Sequence, residues 1–65
     1  MLVKITDLET GTTKTAETPL TVRQYAAVNA CGFFRIQKTG AAYILADPFT
    51  GRPAWRVEKG VKNCI

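Results

Sequence analysis

Between Pro19 and Gly32 lies the stretch of this chain whose local signals leave least choice of structure. Thr21 followed three residues later by Gln24 is a capping box, in which each side chain satisfies a backbone N–H that the first helical turn leaves unpaired. Leu20 and Tyr25 hold the two positions of a hydrophobic staple. Val22, Tyr25, Ala26 and Ala30 recur at helical spacing and form one apolar stripe, and Gly32 supplies a C-terminal cap. These signals predict a helix over 21–31. It is short and its stripe is built of small residues, so it is expected to lie close against a sheet.

The flanking segments alternate with a period of two. Residues 2–7 are β-branched and half apolar, as in a strand with one buried face. Glu9-Thr10-Gly11 reads as a hairpin loop, and 12–17 return as an almost wholly polar strand expected at an edge, where Lys14 discourages pairing with another chain. Beyond the helix, 33–38, 41–46 and 54–59 read as strands, separated by a Thr39-Gly40 turn and by the turn-rich run Asp47-Pro48-Phe49-Thr50-Gly51-Arg52-Pro53. The predicted fold is α+β, in the order β-β-α-β-β-β, with one short helix packed on an antiparallel sheet. Asp7-Leu8-Glu9-Thr10-Gly11 and Asp47-Pro48-Phe49-Thr50-Gly51 share the spacing Asp-x-x-Thr-Gly. That spacing predicts a shared loop geometry, with the aspartate folded back on nearby backbone N–H groups and the glycine at positive φ.

A chain of 65 residues makes one domain, 1–65, with 60–65 read as a short basic tail. Its core supplies roughly 3–5 kcal/mol net, which association into a homodimer would supplement. Two cysteines and no histidine do not make a structural zinc site, and no cofactor is expected. Cys31 is expected as a small buried hydrophobe at the core end of the helix. Cys64 stands near the C-terminus, and both thiols are expected to be reduced in a cytoplasmic protein. Residues 1–7 lack a signal-peptide core, and no apolar run approaches the length of a membrane span.

The net charge of +4 is unevenly placed. Residues 1–20 carry two cations against three carboxylates; residues 21–65 carry seven against two. The asymmetry favours an acidic or polyanionic partner. With a two-residue turn at Thr39-Gly40, Ile36 opposes Tyr43. One sheet face then carries Phe34, Ile36, Tyr43, Leu45, Trp55 and Val57 as the core under the helix. The other carries Phe33, Arg35, Gln37, Ala42 and Ile44, with Arg56 beside them. Arginines amid apolar side chains on an uncovered face suit recognition of a partner. Arg52, Lys59 and Lys62 make a second candidate cluster in the last loop and tail.

Catalytic parts are lacking: there is no histidine base, no glycine-rich phosphate cradle and no metal cluster. Two binding classes remain. One is a protein-binding module acting on a larger protein or nucleoprotein complex; the alternative is a small basic nucleic-acid-binding protein. A helix-turn-helix would require a second helix, and 33–38 does not carry the pattern of an RNA-recognition sheet. The succession Ala16-Glu17-Thr18, a helix, Phe34-Arg35-Ile36, Tyr43-Ile44-Leu45-Ala46 and Trp55-Arg56 resembles very small phage-encoded accessory proteins of the anti-CRISPR kind. The resemblance implies a phage or mobile-element protein that binds and inhibits or modulates a host complex, and it assigns no residue a role.

Overall fold

The structure is a computed structural model and describes residues 1–60. The elements are β1 (Leu2–Asp7), β2 (Thr13–Glu17), α1 (Val22–Ala30), β3 (Arg35–Thr39), β4 (Ala42–Ala46) and β5 (Pro53–Lys59). Every strand pairing is antiparallel, and the sheet order is β2-β1-β5-β4-β3. The fold is therefore α+β, with one short helix on one antiparallel sheet, as the sequence predicts. A hairpin, β1–β2, and a meander, β3–β4–β5, form from neighbouring segments. They are joined by the pairing of β1 with β5, which sets Ile5 opposite Val57.

The helix begins where its capping box puts it. Thr21 Oγ1 accepts the Gln24 N–H at 3.2 Å, and Gln24 Oε1 accepts the Thr21 N–H at 3.0 Å. A cap of this kind contributes about 1 kcal/mol. The C-terminal end differs from expectation. Cys31, not Gly32 alone, takes the left-handed conformation, with φ 52, and Gly32 follows at φ 70. The two successive left-handed residues swing the chain back, so that the N–H groups of Phe33 and Phe34 both reach the Ala30 carbonyl, at 2.8 and 3.2 Å. This turn carries Cys31 out to solvent, correcting its expected burial, and its thiol donates to the Val28 carbonyl at 3.1 Å.

Cys31 thus holds a conformation that costs a side-chain-bearing residue about 1–2 kcal/mol. Cys31→Gly relieves that strain and gives back part of it as unfolded-chain entropy. The variant is expected to be more stable by about 0.5 kcal/mol, and Cys31→Val less stable by about 1 kcal/mol, because a β-branched side chain tolerates this region worst. Urea midpoints of the two variants against the parent check both signs.

Val3, Ala26, Ala30, Leu45 and Val57 form the buried core, with Ile5, Val22, Tyr25, Phe34, Tyr43 and Trp55 packed around it. The small Ala26 and Ala30 let the helix axis approach the sheet. Of the predicted core face, Phe34, Tyr43, Leu45, Trp55 and Val57 lie under the helix. Ile36 is on the same face but at the sheet edge, beside the helix, and stays exposed. The register also differs by two residues. Thr39 opposes Ala42, so the loop residues are Gly40 and Ala41, and Ile36 faces Leu45 rather than Tyr43. Gly40, at φ 60, takes the first central position of the turn, where primed hairpin turns require positive φ. Each β3 residue meets a partner two residues further along β4 than expected, an even shift, so alternation is kept and the face assignments survive.

The helix packs chiefly over β3, β4 and β5, and Val3 of β1 joins Ala26 and Ala30 in the same core cluster. No helix among the described residues is long and apolar enough to cross a membrane.

Candidate interaction surface

The two Asp-x-x-Thr-Gly segments adopt one hydrogen-bond plan. Asp7 Oδ1 accepts the N–H groups of Glu9 and Thr10 at 2.9 and 3.4 Å; Asp47 Oδ1 accepts those of Phe49 and Thr50 at 2.7 and 3.2 Å. The Gly11 N–H donates to the Asp7 carbonyl at 2.7 Å, and the Gly51 N–H to the Asp47 carbonyl at 2.8 Å. Each glycine sits at positive φ, 77 and 73. Thr10 and Thr50 Oγ1 each accept the N–H two residues on, from Thr12 and Arg52. Each loop therefore satisfies most of its own N–H groups through its aspartate and threonine.

Sheet topology brings these twin loops to the same end. β1 ends beside the start of β5, where Asp7 opposes Trp55, and β4 ends beside it on the other side, where Ala46 opposes Pro53. The Leu8 N–H donates to the Ala54 carbonyl at 3.0 Å, which ties the first loop to the start of β5, where the second loop ends. Between them lies a groove of about 310 Å³, with Phe34 at its base and Leu8, Glu9, Thr50 and Arg52 on its walls.

The turn that ends α1 opens onto the same end. Phe33 was expected on a strand beside Arg35. It lies instead in this turn, because the helix cap consumes two residues before β3 can start at Arg35. Its ring meets Phe34 edge-on, with centroids 5.1 Å apart, and Phe49 at 6.5 Å. Phe34 turns inward against the core, whereas Phe33 is 53% and Phe49 86% exposed, with Leu8 also exposed on the first loop. Phe49 escapes sequence reading because its segment is dominated by turn chemistry. The available signal is positional: it occupies the place that Glu9 holds in the first loop, at a loop tip where solvation favours a polar residue.

The expected sheet face is present and uncovered among the described residues. Gln37 opposes Ile44, which opposes Arg56, and Arg35 lies one pair nearer the aromatic end, opposite Ala46. Arg35 is on β3 and Arg56 on β5, with β4 between them. Arg56 is not a free cation: its Nε lies 2.9 Å from Glu58 Oε2 on the same strand. With Lys4 opposite Glu58 and Thr6 opposite Arg56, the face is of mixed sign and largely polar.

The second expected cluster is not assembled by the described residues. Arg52 precedes β5 and Lys59 ends it, which separates them by roughly 20 Å of extended chain. Lys59 also alternates with Arg56 and shares the helix side of the sheet with Val57, opposite Val3. Lys62 and Cys64 lie outside the described residues. Arg52 stands instead on the groove between the twin loops.

On the helix side, between α1 and the β1–β2 hairpin, lies a groove of about 380 Å³ lined by Ile5, Asp7, Lys14, Tyr25, Asn29 and Trp55. Two of its polar groups are already engaged. Asp7 serves its loop, and Asn29 Nδ2 donates to the Tyr25 carbonyl at 2.8 Å. No group of three or more His, Cys, Asp or Glu among the described residues could hold a metal ion. The parts gathered at the aromatic end are two exposed phenylalanines, an exposed leucine and one arginine on rigid mounts, which is contact chemistry. No protein-family model, curated protein or solved structure matches the chain.

Proposed function

We propose that this chain is a non-enzymatic protein-binding module that engages a larger protein through the end of the sheet where Phe33, Phe49 and Leu8 stand exposed. The observation that carries this reading is the pair of exposed phenylalanines held on a loop and a turn that are tied by local hydrogen bonds. Water disfavours such rings at a surface, and a fold this small has little core to spare for placing them there. Aromatic anchors dominate binding energy at protein interfaces, and a rigid mount spares them the entropy loss of being ordered on contact. Arg52 and Glu9 supply a polar rim of both signs. A module of this size acts by occupying its partner's surface, and so inhibits or modulates it one-to-one. The resemblance to small phage-encoded inhibitors points to the same mode of action.

The competing reading, nucleic-acid binding through Arg35 and Arg56, has the overall basicity of the chain in its favour and the Arg56–Glu58 pair against it. The test is capture of partners from the source-cell lysate on immobilised protein, with and without nuclease. The proposal expects a protein retained after nuclease treatment and lost when Phe33 and Phe49 are both replaced by serine. Capture that disappears with the nucleic acid overturns it.

A further inference from the structure

The edge of the sheet under α1 carries a second surface, separate from the aromatic end. Strand β3 is the outermost strand on that side, and all five of its residues are exposed. Its outer row of N–H and C=O groups meets no other strand among the described residues. Such a row is a template for an added strand. Beside it, between β3 and α1, runs a groove of about 480 Å³ lined by Arg23, Ala27, Ile36, Lys38 and Tyr43. Its floor is apolar, with Ile36 41% exposed, and its rim carries two cations. Arg35 adds a third on the opposite face of β3.

Charge decides what fits there. The five carboxylates of the sequence are Asp7, Glu9, Glu17, Asp47 and Glu58, and none belongs to α1 or β3. Arg23, Arg35 and Lys38 make no ion pair among the described residues. The opposite edge, β2, carries Lys14 and Glu17 and has no such bias. A second copy of the chain pairing through β3 would bring six like charges onto one seam, so the edge repels itself. A nucleic-acid strand would find no exposed aromatic ring along β3 on which to stack, and its phosphates would face the strand's carbonyl row.

We infer that β3 accepts an extended acidic polypeptide segment as a sixth, antiparallel strand, with one apolar side chain over Ile36 and flanking carboxylates on Arg23 and Lys38. The added strand's backbone pairs with the free edge, and its side chains alternate between the groove and the open face, so one residue in two is read. The matching length is five residues, the length of β3. This surface does not depend on the aromatic end.

The probe is a blocked heptapeptide, Thr-Glu-Thr-Val-Thr-Glu-Thr, titrated into isotope-labelled full-length protein and followed by amide NMR. Saturable shifts are expected at β3 and at the Arg23–Ala27 side of α1, in the millimolar range. The double variant Arg23→Glu, Lys38→Glu is expected to weaken binding about tenfold, which is about 1.4 kcal/mol, since two attractive charge contacts become two repulsive ones. A peptide with lysine in place of glutamate, and one N-methylated at alternate residues, are both expected not to bind. The Phe33→Ser, Phe49→Ser variant is expected to bind the heptapeptide like the parent, so that failure here and failure of the aromatic contact read out separately. Absence of saturable shifts overturns the inference, as does equal binding of the N-methylated peptide, which would mean charge attraction without strand addition. Tighter binding of a single-stranded oligonucleotide at the same resonances, or concentration-dependent self-association through β3, overturns it in favour of those occupants.

Discussion

Leu45→Ala is expected to leave the protein close to half unfolded at 25 °C. Leu45 is 1% exposed and heads the fully buried side chains, with Val3 and Val57. It lies on β4, pairs with both Ile36 and Trp55, and is covered by the helix through Ala26 and Ala30. Those neighbours cannot close the gap. The alanines have no further reach, and the strands on both sides are fixed by backbone pairing. Truncating a buried leucine costs about 2–5 kcal/mol including the cavity. A domain of this size holds roughly 3–5 kcal/mol in all, so the loss is comparable to the whole. Val28→Ala is the matched control. Val28 is 61% exposed on the far side of the helix, and its truncation is expected to shift stability by no more than about 0.5 kcal/mol. Urea unfolding followed by Trp55 fluorescence and far-ultraviolet circular dichroism measures both. A Leu45→Ala cost under about 1 kcal/mol would mean that the core can collapse around the site, contrary to the packing described.

Replacing Phe33 and Phe49 together by serine is expected to lower partner affinity by at least about 100-fold, because two central aromatic anchors each commonly carry 2 kcal/mol or more. Stability moves far less. Phe49 is 86% exposed and its ring meets Phe33 at 6.5 Å, so its loss is expected within about 0.5 kcal/mol. Phe33 gives up its edge-on contact with Phe34, about 1 kcal/mol. The contrasting variant is Arg35→Ala, Arg56→Ala. Both arginines are exposed on the open sheet face, and their removal is expected to change affinity only a few-fold while leaving the fold intact. If the arginine variant loses binding and the phenylalanine variant keeps it, the contact lies on the open face and the aromatic assignment is wrong. Affinity is read by titration calorimetry on the captured partner, and unfolding midpoints are taken in parallel.

The candidate surfaces differ in how far they could be read from the chain. Arg35, Gln37 and Arg56 fall on one open face because alternation in a strand is a local property, and the two-residue shift of the β3–β4 register did not disturb it. The ion pair that Arg56 makes on that face is harder to read. Glu58 is two residues along on the same side of β5, at a spacing the sequence displays, but the ion pair depends on how the two side chains turn. Phe33 illustrates a boundary effect. Two left-handed residues at the end of the helix moved it out of the strand and onto the aromatic end. Arg52 and Lys59 look close in sequence, but an extended strand converts seven residues into length instead of proximity.

The doubled Asp-x-x-Thr-Gly motif shows where the division falls. Each loop closes through bonds between residues two to five apart, so its shape, like the capping box of α1, is written in a handful of neighbouring side chains. The sequence by itself therefore determined the helix, the hairpins, the loop geometry and the inward and outward faces of each strand. That the two loops stand side by side, with Leu8 and Arg52 on one groove, followed only from the pairing of β1 with β5, whereas Phe49 reaches Phe33 through the pairing of β3 with β4, which sets Arg35 opposite Ala46. The β1–β5 pairing joins the two ends of the described chain. It is favoured because Val3, Ile5 and Val57 gain burial together under a helix too short to cover them apart. Burial of this kind is shared among residues distant in sequence and leaves no mark on any one segment, so the location of the surface was a property of the tertiary structure alone.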